Sequence, residues 1–294
     1  MVIDKSKVTE KSTMIEKSNS LLPFDAYFLT EKYVHKARVE LGETEQVRKS
    51  TMKQLRELAT NEQSITYHIT DEDLIKFLRG RKFNVQRALA LMKKYSNYKK
   101  KQLHYFSNMK HDVLSKLVKD RVFEFLPYRC LDGCAVLVFN LNNWNPSEIH
   151  IDDLIRCLSL FFYHSINDPM TQVNGYKVVF DVKSPGLKHL RYATPYYMFL
   201  LYYGTQECFP GRFKGIHIIN VSMAFKAAWA ILTNFVSDKI QRRLVLHKGT
   251  ETLLDYFPEK MLPVEFGGSL QSNNSMAFFE DGMLPENLER LAQY

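Results

Sequence analysis

The side chains best suited to hold a phosphate stand in two acid-poor segments. Between Arg79 and Lys101 there are nine Lys or Arg and no Asp or Glu, including Arg79, Arg81, Lys82 and Arg87. Between Arg212 and Lys248 stand Arg212, Lys214, Lys226, Lys239, Arg242, Arg243 and Lys248, against Asp238 alone. An arginine offers phosphate a planar fork and a lysine a mobile point charge. Brought together, the two segments would make one anion site. Taken alone, the first also fits the solvated face of a helix, although Arg79-Gly80-Arg81-Lys82 is denser in cations than such a face requires.

Chemistry of other kinds has little to work with. There is no GxSxG nucleophile elbow and no Walker loop. Asp152 and Asp153 read as acids at a helix N-terminus. His217 reads as a core residue of a strand, and His164 and His189 have no partner at ligand spacing. Cys130 and Cys134 are four apart, Cys157 and Cys208 stand alone, and no CxxC occurs. The expectation is reduced thiols, no metal, no cofactor and no enzymatic activity.

A third constellation is apolar. Met223–Val236 holds eleven apolar residues in fourteen, broader than the stripe of a helix that faces water on one side. It is either a helix buried on both sides or a lid over a ligand. Lys239 and Arg243 follow within two turns and are expected on one helical face, which suits an element that meets a membrane.

The elements that must position these groups follow from the pattern. The chain has 294 residues, 45% hydrophobic and 24% charged, enough for one large domain and a smaller module. Aromatic residues reach 13%, which suits an aromatic core or a roomy apolar pocket. The net charge of +8 fits a protein that visits anionic surfaces without requiring it. Residues 1–22 are expected to be a flexible arm and show no signal-peptide pattern. The longest apolar runs, near Met198–Tyr203 and Ala227–Leu232, fall short of the roughly 20 residues of a membrane span. A cytosolic protein is expected, in which the sequon at Asn220 would go unused.

A helical pattern starts at Leu21–Leu41 and continues over Thr44–Asn61. Thr70 ahead of three acids and Asn84 ahead of an apolar stripe each read as a helix cap. These segments make a helical module over residues 23–110. Beyond Arg121 the texture changes to short apolar runs that end at Asn or Asp: Ala135–Asn140, Tyr176–Asp181 and Gly215–Asn220. Such runs read as strands covered on both faces. Helical stretches at Ile149–Asn167, Thr194–Glu207 and Ala224–Val236 alternate with them, which implies an α/β domain with a largely parallel sheet over residues 111–268. A polar tail, 269–294, follows.

Asp73-Leu74-Ile75-Lys76-Phe77-Leu78-Arg79-Gly80-Arg81-Lys82-Phe83-Asn84-Val85 closely resembles the motif of the CRAL-TRIO N-terminal helical domain. Thr171–Gly175 with Val179-Phe180-Asp181, then Phe209–Asn220 and Leu262–Gly268, resemble the lipid-binding domain of the same family, so the resemblance covers roughly residues 30–268. It implies an apolar cavity floored by the sheet beneath a helical lid. Within the family the chain looks most like the tocopherol- and retinaldehyde-binding branch. That branch implies a monomeric, non-enzymatic carrier of a small lipophile, with transient membrane association and a phosphoinositide site. The cleft positions are Arg81, Arg212, Lys214, Lys239 and Arg243. The cavity positions are Phe161, Phe180, Met198, Leu201, Ile216, Phe225, Trp229 and Leu232. Fungal phosphatidylinositol transfer proteins of the family have Glu where Gly211 stands, which argues against that lipid inside the pocket. The rival functions are a lipid-sensing signalling adaptor and a phospholipid (phosphatidylinositol/phosphatidylcholine) transfer protein. A nucleic-acid binder is not expected, because no nucleic-acid motif accompanies the charge.

Overall fold

The computed structural model describes residues 21–24, 28–105, 110–183, 187–192, 194–223, 225, 226, 229 and 238–271. Most of the expected tail, most of the arm and most of the lid, Leu232 included, lie outside the described residues. Helices α1 (Glu31–Leu41), α2 (Glu45–Thr60), α3 (Asp71–Gly80), α4 (Val85–Lys101) and α5 (His111–Lys119) come first. Their starts are set by side chains. The Thr44 hydroxyl accepts from the Val47 amide, Thr70 and Asp73 form a reciprocal capping box, and Asn84 accepts from Arg87. Leu55, Leu74, Leu78, Ala88 and Met92 are the buried centre of this module, and Val173 of the α/β part joins the same cluster.

The helical pattern expected from Leu21 does not hold. Among the described residues the first helix begins at Glu31, and Pro23 instead makes an isolated bridge to Tyr128. Phe24 stacks on Phe125 with ring centroids 4.8 Å apart, while its amide donates to Pro127. An aromatic ring with a large apolar area to bury wins over local helical spacing.

The rest of the chain builds one sheet. Its elements are β1 (Phe123–Phe125), β2 (Ala135–Asn140), α6 (Ile151–Ser165), α7 (Pro169–Asn174), β3 (Tyr176–Asp181), α8 (Leu187–Leu190), α9 (Pro195–Tyr202), β4 (Phe213–Ile219), α10 (Asp238–Gln241) and β5 (Leu244–Leu246). The spatial order is β1-β2-β3-β4-β5, the order of the chain; β1 is antiparallel to β2 and the other pairs are parallel. The expected fold class is therefore the observed one. Strands β1 and β5 went unread because three residues are too few to carry a periodicity. Strand β4 begins two residues before Gly215 and ends at Ile219, because Asn220 turns the chain at φ 56°. The stretch expected as one helix from Thr194 splits into α9 and a π-helical turn over Tyr203–Cys208.

Parallel strands added in chain order through right-handed crossovers keep their helices on one face of the sheet. That face carries Leu137, Phe139, Val178 and Phe180, packed in one apolar cluster with Phe161 and Phe162 of α6 and Leu200 of α9. Ile216 pairs with Val178 in register and shares the face. The opposite face carries Val136, Val138, Val179 and Ile219, and is closed by Leu253, Phe257, Met261, Leu262 and Phe266 from the 3-10 turns after residue 249.

Beneath that opposite face lies a short polar chain. His217 Nδ1 is 3.0 Å from His247 Nε2, and His247 Nδ1 is 2.6 Å from the Thr252 hydroxyl, which donates to the Gly249 carbonyl at 2.8 Å. With that hydroxyl proton committed, His247 donates to Thr252 and accepts from His217. The His217 core assignment holds, but its partner His247, thirty residues on, was not visible as one.

All four cysteines are buried thiols. No helix among the described residues is long and apolar enough to cross a membrane.

Candidate functional site

The turn Arg79–Phe83 divides its cations between structure and surface. Arg79 is buried: Nε and Nη2 grip the Glu43 carboxylate at 2.9 and 2.6 Å, and Nη1 donates to Gln172 at 2.7 Å. It locks α1, α3 and α7 together and is not available to a ligand. Gly80 packs so closely on the Pro210 carbonyl that a Cβ there would overlap it. This close approach brings Arg81 beside the Phe209–Lys214 turn. Lys82 and Phe83 then leave with positive φ, 53° and 55°.

Arg212 is anchored by a second tight glycine. Its carbonyl accepts from Tyr176 at 2.8 Å, and Gly175 passes over it at φ 85°, where a Cβ would clash. The Arg212 side chain is largely buried, and its Nε and Nη2 have no hydrogen-bond partner. Its Nη1 lies 3.8 Å from Glu40, and Lys214 Nζ lies 3.4 Å from the same carboxylate oxygen. Burial pushes the pKa of Arg212 down, with Glu40 opposing and Arg243 adding to the fall.

Lys239 and Arg243 complete the basic cleft, although not on one helical face as expected. Helix α10 ends at Gln241, and the Arg243 amide closes the turn onto Ile240 at 2.9 Å. The Arg243 carbonyl then accepts from Ile216, starting the β4–β5 pairing, and its guanidinium donates to the Phe213 carbonyl. The charges converge nonetheless. Burial and then Arg243, Arg81 and Arg87 lower the pKa of Lys239, while burial and then Arg87 lower that of Arg81. Mutual repulsion of this kind requires that these cations be neighbours. Among the described residues, Arg81, Lys239 and Arg243 have no carboxylate partner within ion-pair distance; Glu207, close by, is held by Lys94 at 2.5 Å. A group of cations without ion-paired acids, beside a buried guanidinium with unmet donors, is suited to a multiply charged anion.

Sequence reasoning missed Arg87 as a cleft neighbour and Glu40 as a cleft acid. Arg87 was within the counted run and could have been found by placing it one turn into α4. Nothing local marks Glu40, which meets Lys214 across 174 residues.

Of the expected cavity positions, Phe161, Phe180 and Leu201 belong to one apolar cluster. Phe161 is buried, edge-on to Phe123 at 4.4 Å. Phe180 is half-buried, 5.4 Å from Phe139. Met198, Leu201 and Ile216 are also half-buried. Leu201 borders a cavity of about 30 Å³ with Tyr98, Leu158, Phe162, Gly204 and Thr205. The π-turn widens the backbone there, and Gly204 leaves room that a Cβ would take from the Tyr98 hydroxyl. Phe225 and Trp229 stack in parallel at 6.2 Å, so these two do share a helical face; Leu232 lies outside the described residues. Position 211, by contrast, has no room for a side chain: a Cβ on Gly211 would strike the Phe209 ring and lie 2.8 Å from Tyr176.

The CRAL/TRIO domain model matches residues 119–268. Alpha-tocopherol transfer protein-like of Homo sapiens is 32% identical over 243 residues, covering 82% of this chain and 71% of that protein. Clavesin-1 of Rattus norvegicus is 31% identical over 241 residues, covering 81% of this chain and 68% of that protein. Among solved structures, a crystal structure of Sfh5 superposes with a TM-score of 0.50 at 11% identity, covering 80% of this chain and 91% of that one. At that identity the likeness is one of fold alone.

Proposed function

The chain belongs to the CRAL/TRIO domain family, and from that premise we propose that it carries a small lipophile and delivers it to membranes bearing phosphoinositides. The likeness to alpha-tocopherol transfer protein-like supports binding and transfer of a lipophile. The identity of the cargo class and the trigger for its release are our own reading. The observation that carries it is the convergence of Arg81, Lys239 and Arg243, none with a carboxylate partner within ion-pair distance among the described residues, with Arg243 donating to the carbonyl of Phe213 in the apolar cluster.

The apolar region supports a cargo rather than a catalytic substrate. The cavity beside Leu201, about 30 Å³, is far below the roughly 300–1,000 Å³ of a ligand pocket, so cargo entry there means displacement of α9 or of the lid. A lipophile that buries about 400 Å² gains on the order of 10 kcal/mol before ordering costs. Such retention makes unaided release slow, and a membrane that stabilises the open form removes that barrier. Cations near an anionic surface contribute roughly 1 kcal/mol each, and the crossover from β4 to β5 that holds Phe225 and Trp229 ends at Lys239 and Arg243. Headgroup binding therefore acts at the foot of the lid.

Tocopherols, retinoids and carotenoids all fit an apolar lining, which discriminates weakly. The crowding at Gly211 argues against a phosphatidylinositol headgroup held there inside the pocket. The signalling-adaptor alternative has no specific observation in its favour. The test is transfer of a fluorescent lipophile from loaded protein to acceptor vesicles. Faster transfer to phosphoinositide vesicles than to charge-matched phosphatidylserine vesicles is expected, and equal rates would refute headgroup-triggered release.

A further inference from the structure

Resting on the phosphoinositide reading above, we propose that Glu40 is an internal competitor for the second phosphate of a bisphosphorylated headgroup, occupying the Arg212–Lys214 end of the cleft until displaced.

The cleft has two unequal ends. At one, Arg81, Arg87 and Lys239 are neighbours and have no carboxylate partner among the described residues. At the other, Arg212 and Lys214 share one oxygen of Glu40, at 3.8 and 3.4 Å. Arg243 links the two ends: its guanidinium donates to the carbonyl of Phe213, the residue between Arg212 and Lys214, and its charge also acts on Lys239. An anion with one phosphate is served by the open end and leaves Glu40 in place. An anion with two reaches the far end, where a carboxylate already sits.

Helix α1 does not explain that carboxylate. Glu40 is in the last turn of Glu31–Leu41, where the helix dipole disfavours an acid. Its helical neighbour Lys36 is 3.8 Å away and on the N-terminal side, the weaker orientation for such a pair. The cleft does explain it, because Arg212 is largely buried and would otherwise lack any counter-charge. One carboxylate serves that end incompletely: Arg212 Nε and Nη2 remain without an acceptor. A phosphate monoester brings three acceptor oxygens and about −1.5 to −2 charges, so it can replace a carboxylate and meet the donors left open.

The cost of displacing Glu40 falls only on the ligand that reaches it. Glu40→Gln is therefore expected to raise affinity for vesicles containing a phosphatidylinositol bisphosphate by about fivefold, the effect of one charge near a surface. Affinity for monophosphate vesicles of equal total surface charge should rise less, so the preference sharpens. Glu45→Gln, which removes an equally negative but fully solvated residue paired with Lys49, should change neither. Lys214→Met should bring bisphosphate affinity down toward that for the monophosphate. Soluble inositol bisphosphate separates the headgroup from the bilayer, and it should compete for the wild type and more strongly for Glu40→Gln. Equal gains for both vesicles in Glu40→Gln, or no gain, would overturn the role of Glu40 while leaving the cleft intact. A wild type that binds neither vesicle would overturn the lipid reading. If soluble inositol bisphosphate, titrated directly by calorimetry, still bound Glu40→Gln more tightly than the wild type, the internal competitor would stand with a free anion as its ligand.

Discussion

The His217–His247–Thr252 chain predicts a stability that falls between neutral and mildly acid pH. His217 is buried under the sheet against Tyr256 and Phe257, ring centroids 4.8 Å away in each case. Burial first, then His247 and Lys177, lowers its pKa from 6.5 to about 4. The groups facing the pair are Lys177 of β3, itself held by Asp132 at 3.0 Å, and Asp255, which opposes the downward shift of His247. The neutral forms are fixed by the donor order, and with His217 Nδ1 committed to His247, an added proton must go to Nε2, which faces Gly215. Below pH 6.5 the unfolded chain takes up a proton that the folded chain refuses. Stability is therefore full above that value and is lost as pH falls toward 4. For this one group the loss is about 2 kcal/mol by about pH 5. Urea unfolding from about pH 7.5 to 5 measures it. His217→Gln can still donate an amide proton to His247 but does not titrate, so it should flatten most of the slope whatever its stability at neutral pH. A wild type with no change in midpoint down to about pH 5, or a variant with the same slope, would refute the assignment.

Three other outcomes are expected. The combined Arg81→Ala, Lys239→Ala and Arg243→Ala chain should lose binding to phosphoinositide vesicles at physiological salt while retaining lipophile affinity in solution; unchanged sedimentation with vesicles would count against the cleft. Arg79→Met leaves Glu43 buried without its counter-charge and should cost about 3–5 kcal/mol in denaturant unfolding, so a loss under about 1 kcal/mol would mean that the clamp is not rigid in solution. Trp229 should report the lid. In a Trp144→Phe background its emission should shift once on adding lipophile and again on adding phosphoinositide vesicles, and a signal indifferent to both would make it a static core residue.

The sheet and the long helices were legible because period and caps are local signals. Val136–Phe139 and Val178–Phe180 announce strands covered on both faces, and Thr70 and Asn84 announce helix starts before any partner is known. What was not legible depends on contacts between distant residues. The spacing of Lys239 and Arg243 suggested one helical face, yet a backbone demand from Ile216 ends the helix between them. Arg79 and Arg81, two residues apart, read as one basic turn, and only the positions of Glu43 and Gln172 assign the first to the interior. Arg129 carried no signal at all, although it is wholly buried against Asp168, Thr171 and the Phe24 carbonyl. The two basic segments were legible in composition; Glu40, which stands beside Arg212 and Lys214, was not.

The strict β1-to-β5 order has a consequence for how the molecule is made. Every strand pairs with the one synthesised just before it, so a sheet lengthening at one edge never waits for a distant partner. The two faces do not mature together on the ribosome. The face that holds α6 and α9 acquires its cover with each crossover, whereas Val136, Val138, Val179 and Ile219 wait for Leu253, Phe257, Met261 and Phe266. From the making of β2 until residues 253–266 follow, the nascent chain thus carries a bare apolar surface. A ribosome stalled, or a message truncated, shortly after β5 would release a sheet that is complete in its pairing and adhesive on one side, a natural client for chaperones and a seed for aggregation.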